Sequence, residues 1–244
     1  MKDSLNIVIA GATGYIGLQL IKILVKHPKT NILYLCATKS IGLSIRNFDK
    51  SITNKKLPKI SNIKKVKWKK IDVLFTALPN GEAQKIIKKI PDKIKLIDLS
   101  ADFRLNNYKA YKKWYGINHK SKDLINKSIY AITEFSKKNI KKYKIISCPG
   151  CYPTSVQIPL IPLIKNKIVK SNNIIIDSKS GYSGAGKKIK QRFSYKNLFE
   201  SVSAYGVGSH RHMAELDQEF TKVGEKKINV SFTPHLIPMF RGIL

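Results

Sequence analysis

The sequence predicts an α/β fold, a doubly wound parallel sheet followed by a second, α+β domain. Three observations carry that reading. Leu5-Asn6-Ile7-Val8-Ile9-Ala10 is a short, almost unbroken apolar run, the pattern of a strand buried on both faces. A glycine turn follows it at once, and strand-like and helix-like segments then alternate as far as Ser147, as they do in a parallel sheet with crossover helices. After Gly150 the alternation gives way to a different texture.

The elements follow in order. Leu18 to Lys26 carries apolar residues at helical spacing and is closed by His27-Pro28, so a helix is expected there. Asn31 to Ala37 reads as the second strand and completes a strand, turn, helix, strand unit. Val73 to Ala77, Leu96 to Leu99 and Lys144 to Ser147 are further strands, with a helix over Gly81 to Ile90 between the first two. Beyond Gly150, Ile174 to Asp177 and Ile228 to Thr233 read as strands and Met213 to Thr221 as a helix. The lysine-rich stretches Ile60 to Lys70 and Lys137 to Lys144 read as solvated surface. There is no internal repeat and no Gly/Ser-rich linker, and the expected domains are residues 1–147 and 148–244.

Composition narrows the function classes. The chain has 244 residues, 43% hydrophobic and 25% charged, so it can bury a core despite a formal net charge of +31. A charge of that size suggests nucleic acid, yet 41 of the 46 cations are lysines scattered along the chain. Arginine is the better residue for phosphate and base-edge recognition, and only Arg46, Arg104, Arg192, Arg211 and Arg241 are present. No nucleic-acid partner is expected. The longest apolar stretches fall short of the roughly 20 residues that span a bilayer, so no membrane span is expected. The N-terminus runs straight into a strand without the parts of an export signal, which points to the cytoplasm.

The glycine turn has the spacing G-x-x-G-x-x-G over Gly11-Ala12-Thr13-Gly14-Tyr15-Ile16-Gly17. Its first glycines permit a tight turn and close approach of a phosphate to backbone N–H groups; the last lets a helix pack on the strand. A merely structural turn is the plain alternative. The position between strand and helix near the N-terminus favours a dinucleotide. At the end of the second strand, where an NAD site commonly presents an acidic residue, the chain offers Thr38-Lys39-Ser40, which suits a 2′-phosphate and therefore NADP.

Cys36 lies in a strand and reads as a core thiol, whereas Cys148-Pro149-Gly150-Cys151 is a C-x-x-C motif leading into a helix start. Without an export signal, a disulfide framework is not expected. A helix N-terminus favours a thiolate, which makes Cys151 a candidate nucleophile. A thioredoxin-like pair would leave the phosphate turn unexplained, and zinc would need two more ligands than the motif supplies, so no metal is expected. A single catalytic thiolate beside a nicotinamide domain explains more of the chain. Gly208-Ser209-His210-Arg211-His212 supplies two imidazoles and a guanidinium; His212, just before the expected helix, is the first choice of acid/base and His210 the second. A capped, partly buried histidine is the alternative.

At these residues the chain resembles the N-acetyl-gamma-glutamyl-phosphate reductases of arginine biosynthesis, relatives of aspartate-semialdehyde dehydrogenase. The motifs that carry the resemblance occur in the family's order: the glycine turn; Ala77-Leu78-Pro79-Asn80-Gly81; Asp98-Leu99-Ser100-Ala101-Asp102-Phe103-Arg104; Cys148-Pro149-Gly150-Cys151-Tyr152-Pro153-Thr154; Ser180-Gly181-Tyr182-Ser183-Gly184-Ala185-Gly186; Gly208-Ser209-His210-Arg211-His212; and Pro234-His235-Leu236-Ile237-Pro238-Met239-Phe240-Arg241-Gly242. The resemblance implies a Rossmann-type domain binding NADPH, with Leu78 and Pro79 joining the turn at the cofactor. It also implies a Cys151 thioester formed from an acyl phosphate, and a homo-oligomer. Ser100, Arg104 and Arg211 are implied for the substrate's anionic groups, and Ser183 and Gly184 for backbone donors to it. Met213 and Asn80 depart from the family's usual proline and histidine. Relatives are longer, so the second domain is expected to be incomplete at its C-terminus. An aspartate-semialdehyde dehydrogenase-like enzyme remains open, as does a basic nucleic-acid-binding protein on the same scaffold.

Overall fold

The structure is a computed structural model that describes residues 4–54, 56–186, 200–225 and 227–244. The chain divides into two compact units, Met1–Lys112 with Ile117–Cys148, and Lys113–Gly116 with Pro149–Leu244. In the first, seven strands form one sheet: β1 (Leu5–Ala10), β2 (Thr30–Cys36), β3 (Ile60–Ser61), β4 (Val73–Thr76), β5 (Lys95–Asp98), β6 (Ser128–Tyr130) and β7 (Ile145–Ser147). All pairings are parallel, in the order β3-β2-β1-β4-β5-β7-β6. From β1 the chain steps outward to β2 and β3, then returns to the other side of β1 at β4. That reversal leaves a crevice outside the carboxyl ends of β1 and β4, the place where open α/β sheets take their ligands.

The strands sit where the apolar runs put them because both sheet faces are covered. Val8, Ala10, Leu74, Leu96 and Ile145 pack on one face. Ile7, Ile9, Leu35, Val73 and Phe75 pack on the other. Burying each such side chain contributes roughly 1.5–3 kcal/mol, which fixes the register of short strands. Helices α1 (Tyr15–Leu24), α2 (Glu82–Ile87), α3 (Tyr108–Tyr115) and α4 (Thr133–Ser136) follow β1, β4, β5 and β6. Helix α1 starts three residues before the first expected position, directly at the glycine turn, and α2 is shorter than expected. Ile60 to Lys70, read as solvated surface, instead begins with the edge strand β3. Ile60 is buried there and pairs with Leu35, and Val66 is buried with Ile63 and Trp68 packed beside it, because the apolar residues spaced through the lysine run complete the core.

The second unit holds α5 (Cys151–Lys165), β8 (Ile174–Gly181), β9 (Ser203–Ala204), α6 (Met213–Gly224) and β10 (Val230–Ile237). Its sheet has the order β8-β10-β9, with β8 and β10 parallel and β9 antiparallel. Both long strands run four residues past the expected ends. In the extensions Ser178, Ser180 and Leu236 alternate inward like the apolar residues before them. Tyr152, Val156, Ile161 and Ile164 of α5 meet Leu216 and Phe220 of α6 and Phe232 of β10 in one core. Residues 242–244 run along the other edge of β8, where Lys179 and Leu244 exchange backbone hydrogen bonds of 2.7 and 2.8 Å. Among the described residues no helix is long and apolar enough to cross a membrane.

Candidate functional site

In the first unit the glycine turn bends at the switch point. Gly11 has φ +87°, and a Cβ there would stand 2.2 Å from the Ala77 carbonyl oxygen. A Cβ on Gly17 would stand 2.2 Å from the Gly11 oxygen, so both positions admit only hydrogen. Gly14, with φ −77°, is the N-cap of α1 and places no side-chain cap on it. The backbone donors at that helix start, flanked by Thr13 and Tyr15, face the crevice where an anion is favoured. Ile16 is exposed there, as is Pro79 beyond β4, while Leu78 is half-buried against the core. Thr38 and Lys39 are exposed just past β2, and Ser40 turns the chain with φ 64°. The steric demands at Gly11 and Gly17 and the uncapped helix start fit a dinucleotide's phosphates.

Ser100 and Arg104, expected at the substrate's anionic groups, both make hydrogen bonds inside this unit. Ser100 is buried and its hydroxyl donates to Asp98 Oδ1 at 2.6 Å, an oxygen that also accepts from the Thr76 hydroxyl at 2.7 Å. Burial pushes the Asp98 carboxyl above the usual range. Arg104 is 9% exposed. Its Nε donates to the Cys148 carbonyl at 2.9 Å and its Nη2 to the Leu99 carbonyl at 3.4 Å. The guanidinium thus holds the head of the Cys148–Cys151 turn. Asp102, a residue that motif reading passed over, accepts from Gly81 N–H at 2.6 Å, from Gln84 N–H at 3.2 Å and from the Tyr111 hydroxyl at 2.8 Å. It thereby fixes the loop after β4.

Three free thiols are present, and their surroundings separate them. Cys36 and Cys148 are each pushed up to about 11, chiefly by burial. Cys151 is exposed at the first residue of α5. Gly150, its N-cap, is extended and carries no side chain that could cover the helix start.

Around Cys151 the second unit forms a pocket of about 380 Å³, within the size range of small-molecule sites. Tyr152, Ser180, Tyr205, His210, Arg211 and His212 line it, with Gly184 and Ala185 on one side. Ser183 is not among the lining residues; its N–H already donates to the Phe240 carbonyl at 3.0 Å, leaving Gly184 and Ala185 as that loop's members at the pocket.

The two histidines have different environments. A Cβ on Gly150 would lie 2.5 Å from His212 Nε2, so the imidazole rests against the residue preceding Cys151. The same Nε2 is 3.9 Å from Glu215 Oε1. Glu215 is fully buried, and its Oε2 accepts from the Gly150 N–H at 2.9 Å. One carboxylate therefore addresses both the cysteine turn and the imidazole. Sequence reading missed Glu215; the available signal was its place in the first turn of α6, three residues after His212. His210 is packed edge-on against Tyr152, Tyr205, Phe232 and the His212 ring. Its Nδ1 accepts from the His212 N–H at 3.2 Å. Burial and the neighbouring Arg211 lower His210 to about 4, so it is neutral at physiological pH. Among the described residues no three His, Cys, Asp or Glu side chains gather as a metal-ligand set.

An uncapped helix start at a parallel sheet's switch point, in one chain with a pocket of thiol, imidazole and guanidinium, marks the class of nicotinamide-dependent oxidoreductases. Comparison with known proteins agrees. Residues 6–143 match the semialdehyde dehydrogenase NAD binding domain and residues 151–244 the semialdehyde dehydrogenase dimerisation domain. A probable chloroplastic N-acetyl-gamma-glutamyl-phosphate reductase of Arabidopsis thaliana is 41% identical over 99% of this chain and 60% of its own length. The N-acetyl-gamma-glutamyl-phosphate reductase of Ehrlichia canis is 42% identical over 100% of this chain and 71% of its own length. The chain thus spans from under two thirds to under three quarters of these relatives. Aspartate semialdehyde dehydrogenase II of Vibrio cholerae shares the fold, with a TM-score of 0.68 at 18% identity over 99% of this chain and 73% of its own. The chain belongs to the semialdehyde dehydrogenase family, within the group of the N-acetyl-gamma-glutamyl-phosphate reductases.

Proposed function

We propose that the protein reduces N-acetyl-glutamyl 5-phosphate to N-acetyl-glutamate 5-semialdehyde and phosphate, in arginine biosynthesis. The observation that carries the reading is the exposed Cys151 at the start of α5, with the His212 imidazole laid against Gly150 and Glu215 behind both. The Cys151 thiolate attacks the acyl phosphate carbonyl, the C–O bond to phosphate breaks, and a thioester forms. When bound, NADPH supplies the hydride. His212 takes the thiol proton and returns one to the oxygen of the thiohemiacetal, or removes it as that species collapses to aldehyde and free thiol. Arg211 is the guanidinium for an anionic group of the substrate. The loop of Ser183, Gly184 and Ala185 presents backbone donors, Ser100 and Arg104 are the further candidates for the substrate's anionic groups, and His210 is the second choice of acid/base.

The cofactor lies on residues 1–147, held by Gly11, Thr13, Gly14, Tyr15, Ile16 and Gly17, with Leu78 and Pro79 beside it. NADP is preferred because Thr38, Lys39 and Ser40 offer a cation and hydroxyls to a 2′-phosphate and no carboxylate. Residues 148–244 carry the thiol chemistry and, through the match to a dimerisation domain, the contact to a second copy. The free thiols favour a reducing compartment, the cytoplasm. An assay with N-acetyl-glutamate semialdehyde, phosphate and NADP tests the reading. Phosphate-dependent NADPH formation that Cys151→Ser abolishes supports it; formation that survives the substitution, or no formation at all, overturns it.

A further inference from the structure

Tyr205 lines the Cys151 pocket, and the way its hydroxyl is held gives it one hydrogen-bonding character. Its oxygen is 2.9 Å from the Tyr152 hydroxyl, which is 3.0 Å from the carbonyl oxygen of His235. A carbonyl can only accept, so the single Tyr152 proton is committed to His235. The nearby Ser180 hydroxyl donates to the Gly181 carbonyl at 3.0 Å. Either hydroxyl could donate in the Tyr152–Tyr205 bond by itself, and Ser180 also bonds the Tyr152 oxygen; with the Tyr152 proton on the His235 carbonyl, Tyr205 is left as the donor. With that proton turned away, Tyr205 offers the pocket only lone pairs. Tyr152 is 1% exposed and packed in the core of α5 and β10, which holds its hydroxyl on the His235 carbonyl.

The charges on the pocket wall complete the picture. Arg211 is the cation there, and among the described lining residues there is no carboxylate. Glu215 is buried behind Gly150 and does not line the pocket. Burial raises the Tyr205 phenol, which keeps it neutral. Such a wall accepts a hydrogen bond from a neutral donor and offers no counter-charge to an ammonium.

From this geometry we infer that Tyr205, oriented by Tyr152 and the His235 carbonyl, is a specificity-determining residue that accepts the amide N–H of an N-acylated amino-acid substrate. The inference rests on the reading that the pocket reduces an N-acyl glutamyl phosphate, and it names the group that recognises the acylated nitrogen. It also gives a reason for discrimination. An oxygen in place of that nitrogen would bring two acceptors face to face, and a free ammonium would lose its aqueous charge solvation for a single neutral acceptor.

Two semialdehydes test it: N-acetyl-glutamate semialdehyde and the ester analogue in which oxygen replaces the amide N–H. With phosphate and NADP, the wild-type chain should show a kcat/KM ratio of amide to ester of about tenfold or more, the worth of one neutral hydrogen bond against an unpaired acceptor. Tyr205→Phe should bring the ratio to within about twofold of one. Tyr152→Phe keeps the Tyr205 ring but releases its proton, which can then serve the ester, so the ratio should fall there as well. Wild-type turnover with a ratio that both variants leave intact, or a loss shared equally by amide and ester, overturns the role of Tyr205 alone. No turnover of the amide by wild-type protein overturns the underlying reading.

Discussion

The glycine turn of the first unit and the cysteine pocket of the second solve opposite problems. At the turn, binding requires that side chains be absent. Gly11 and Gly17 each bring backbone within 2.2 Å of where a Cβ would be, and the α1 start is left uncapped. At the pocket, side chains must converge. Cys151 from α5, Ser180 from β8, Tyr205 after β9 and residues 209–212 before α6 line it together, and Glu215 meets Gly150 behind it across 65 residues of sequence. The first site is local and made of conformation; the second is distributed and made of contacts. Substitutions should therefore fail in different ways in the two units.

The largest effect expected is at Cys151. Cys151→Ser should lower turnover by at least roughly 10³-fold, because the hydroxyl lacks the thiolate's nucleophilicity at neutral pH. It should leave NADPH binding, read by cofactor fluorescence, within about twofold of wild type. Loss of both together would mean that the two sites are not separable as drawn.

Next is Gly17→Ala, which should do the reverse. A methyl at 2.2 Å from the Gly11 oxygen forces the turn apart, costing about 1–3 kcal/mol in stability and most of the cofactor affinity. Alkylation of Cys151 by iodoacetamide should proceed at nearly the wild-type rate. Gly14→Ala is the control for stability: its Cβ would meet the Gly11 oxygen at 3.4 Å and its φ suits any residue, so thermal unfolding should move little.

This difference also explains what could be read in the sequence. Strand β1 and its glycine turn were legible because an apolar run and a glycine spacing are local records of burial and backbone freedom. The ends of β8 and β10 were not, since Ser178 and Ser180 are polar and Pro234 lacks the N–H of a ladder, and all three take their inward positions from the strand's pleat. Cys151 and the two histidines stood out by residue type. Glu215 did not, because an acidic residue in a first helical turn has an ordinary explanation, and only the fold brings the Gly150 N–H to it. Arg104 was legible as an anion binder and is found on the Cys148 carbonyl, a contact set by the approach of β5 and β7.

Glu215 gives the third prediction, smaller and within the distributed site. Glu215→Gln retains an oxygen for the Gly150 N–H and loses the charge facing His212, so it should reduce kcat by about tenfold with little change in melting temperature. Glu215→Ala also strands a buried donor and should cost a further 1–3 kcal/mol of stability, about that much by denaturant titration. Equal stability of the two variants would show that the Gly150 bond is not what holds the turn.

The smallest effect is one the two units share. Each holds a histidine, buried for His119 and half-buried for His210, whose Nδ1 is already an acceptor: His119 from the Ser121 N–H at 3.2 Å, and His210 from the His212 N–H at 3.2 Å. Protonation would desolvate a charge and break that bond, so burial lowers both, His210 to about 4 from 6.5. The unfolded chain then binds more protons than the folded one between those values. Stability should accordingly be intact above pH 6.5 and decline progressively as pH falls toward 4. Melting temperatures across that window should fall more steeply for wild type than for His119→Gln or His210→Gln, in which nothing at that position takes up a proton. The comparison sharpens on activity. His210 Nδ1 accepts from the backbone N–H of the proposed acid/base, so His210→Gln should also slow turnover at pH 7.5, whereas His119→Gln should flatten the stability curve and leave the rate near wild type.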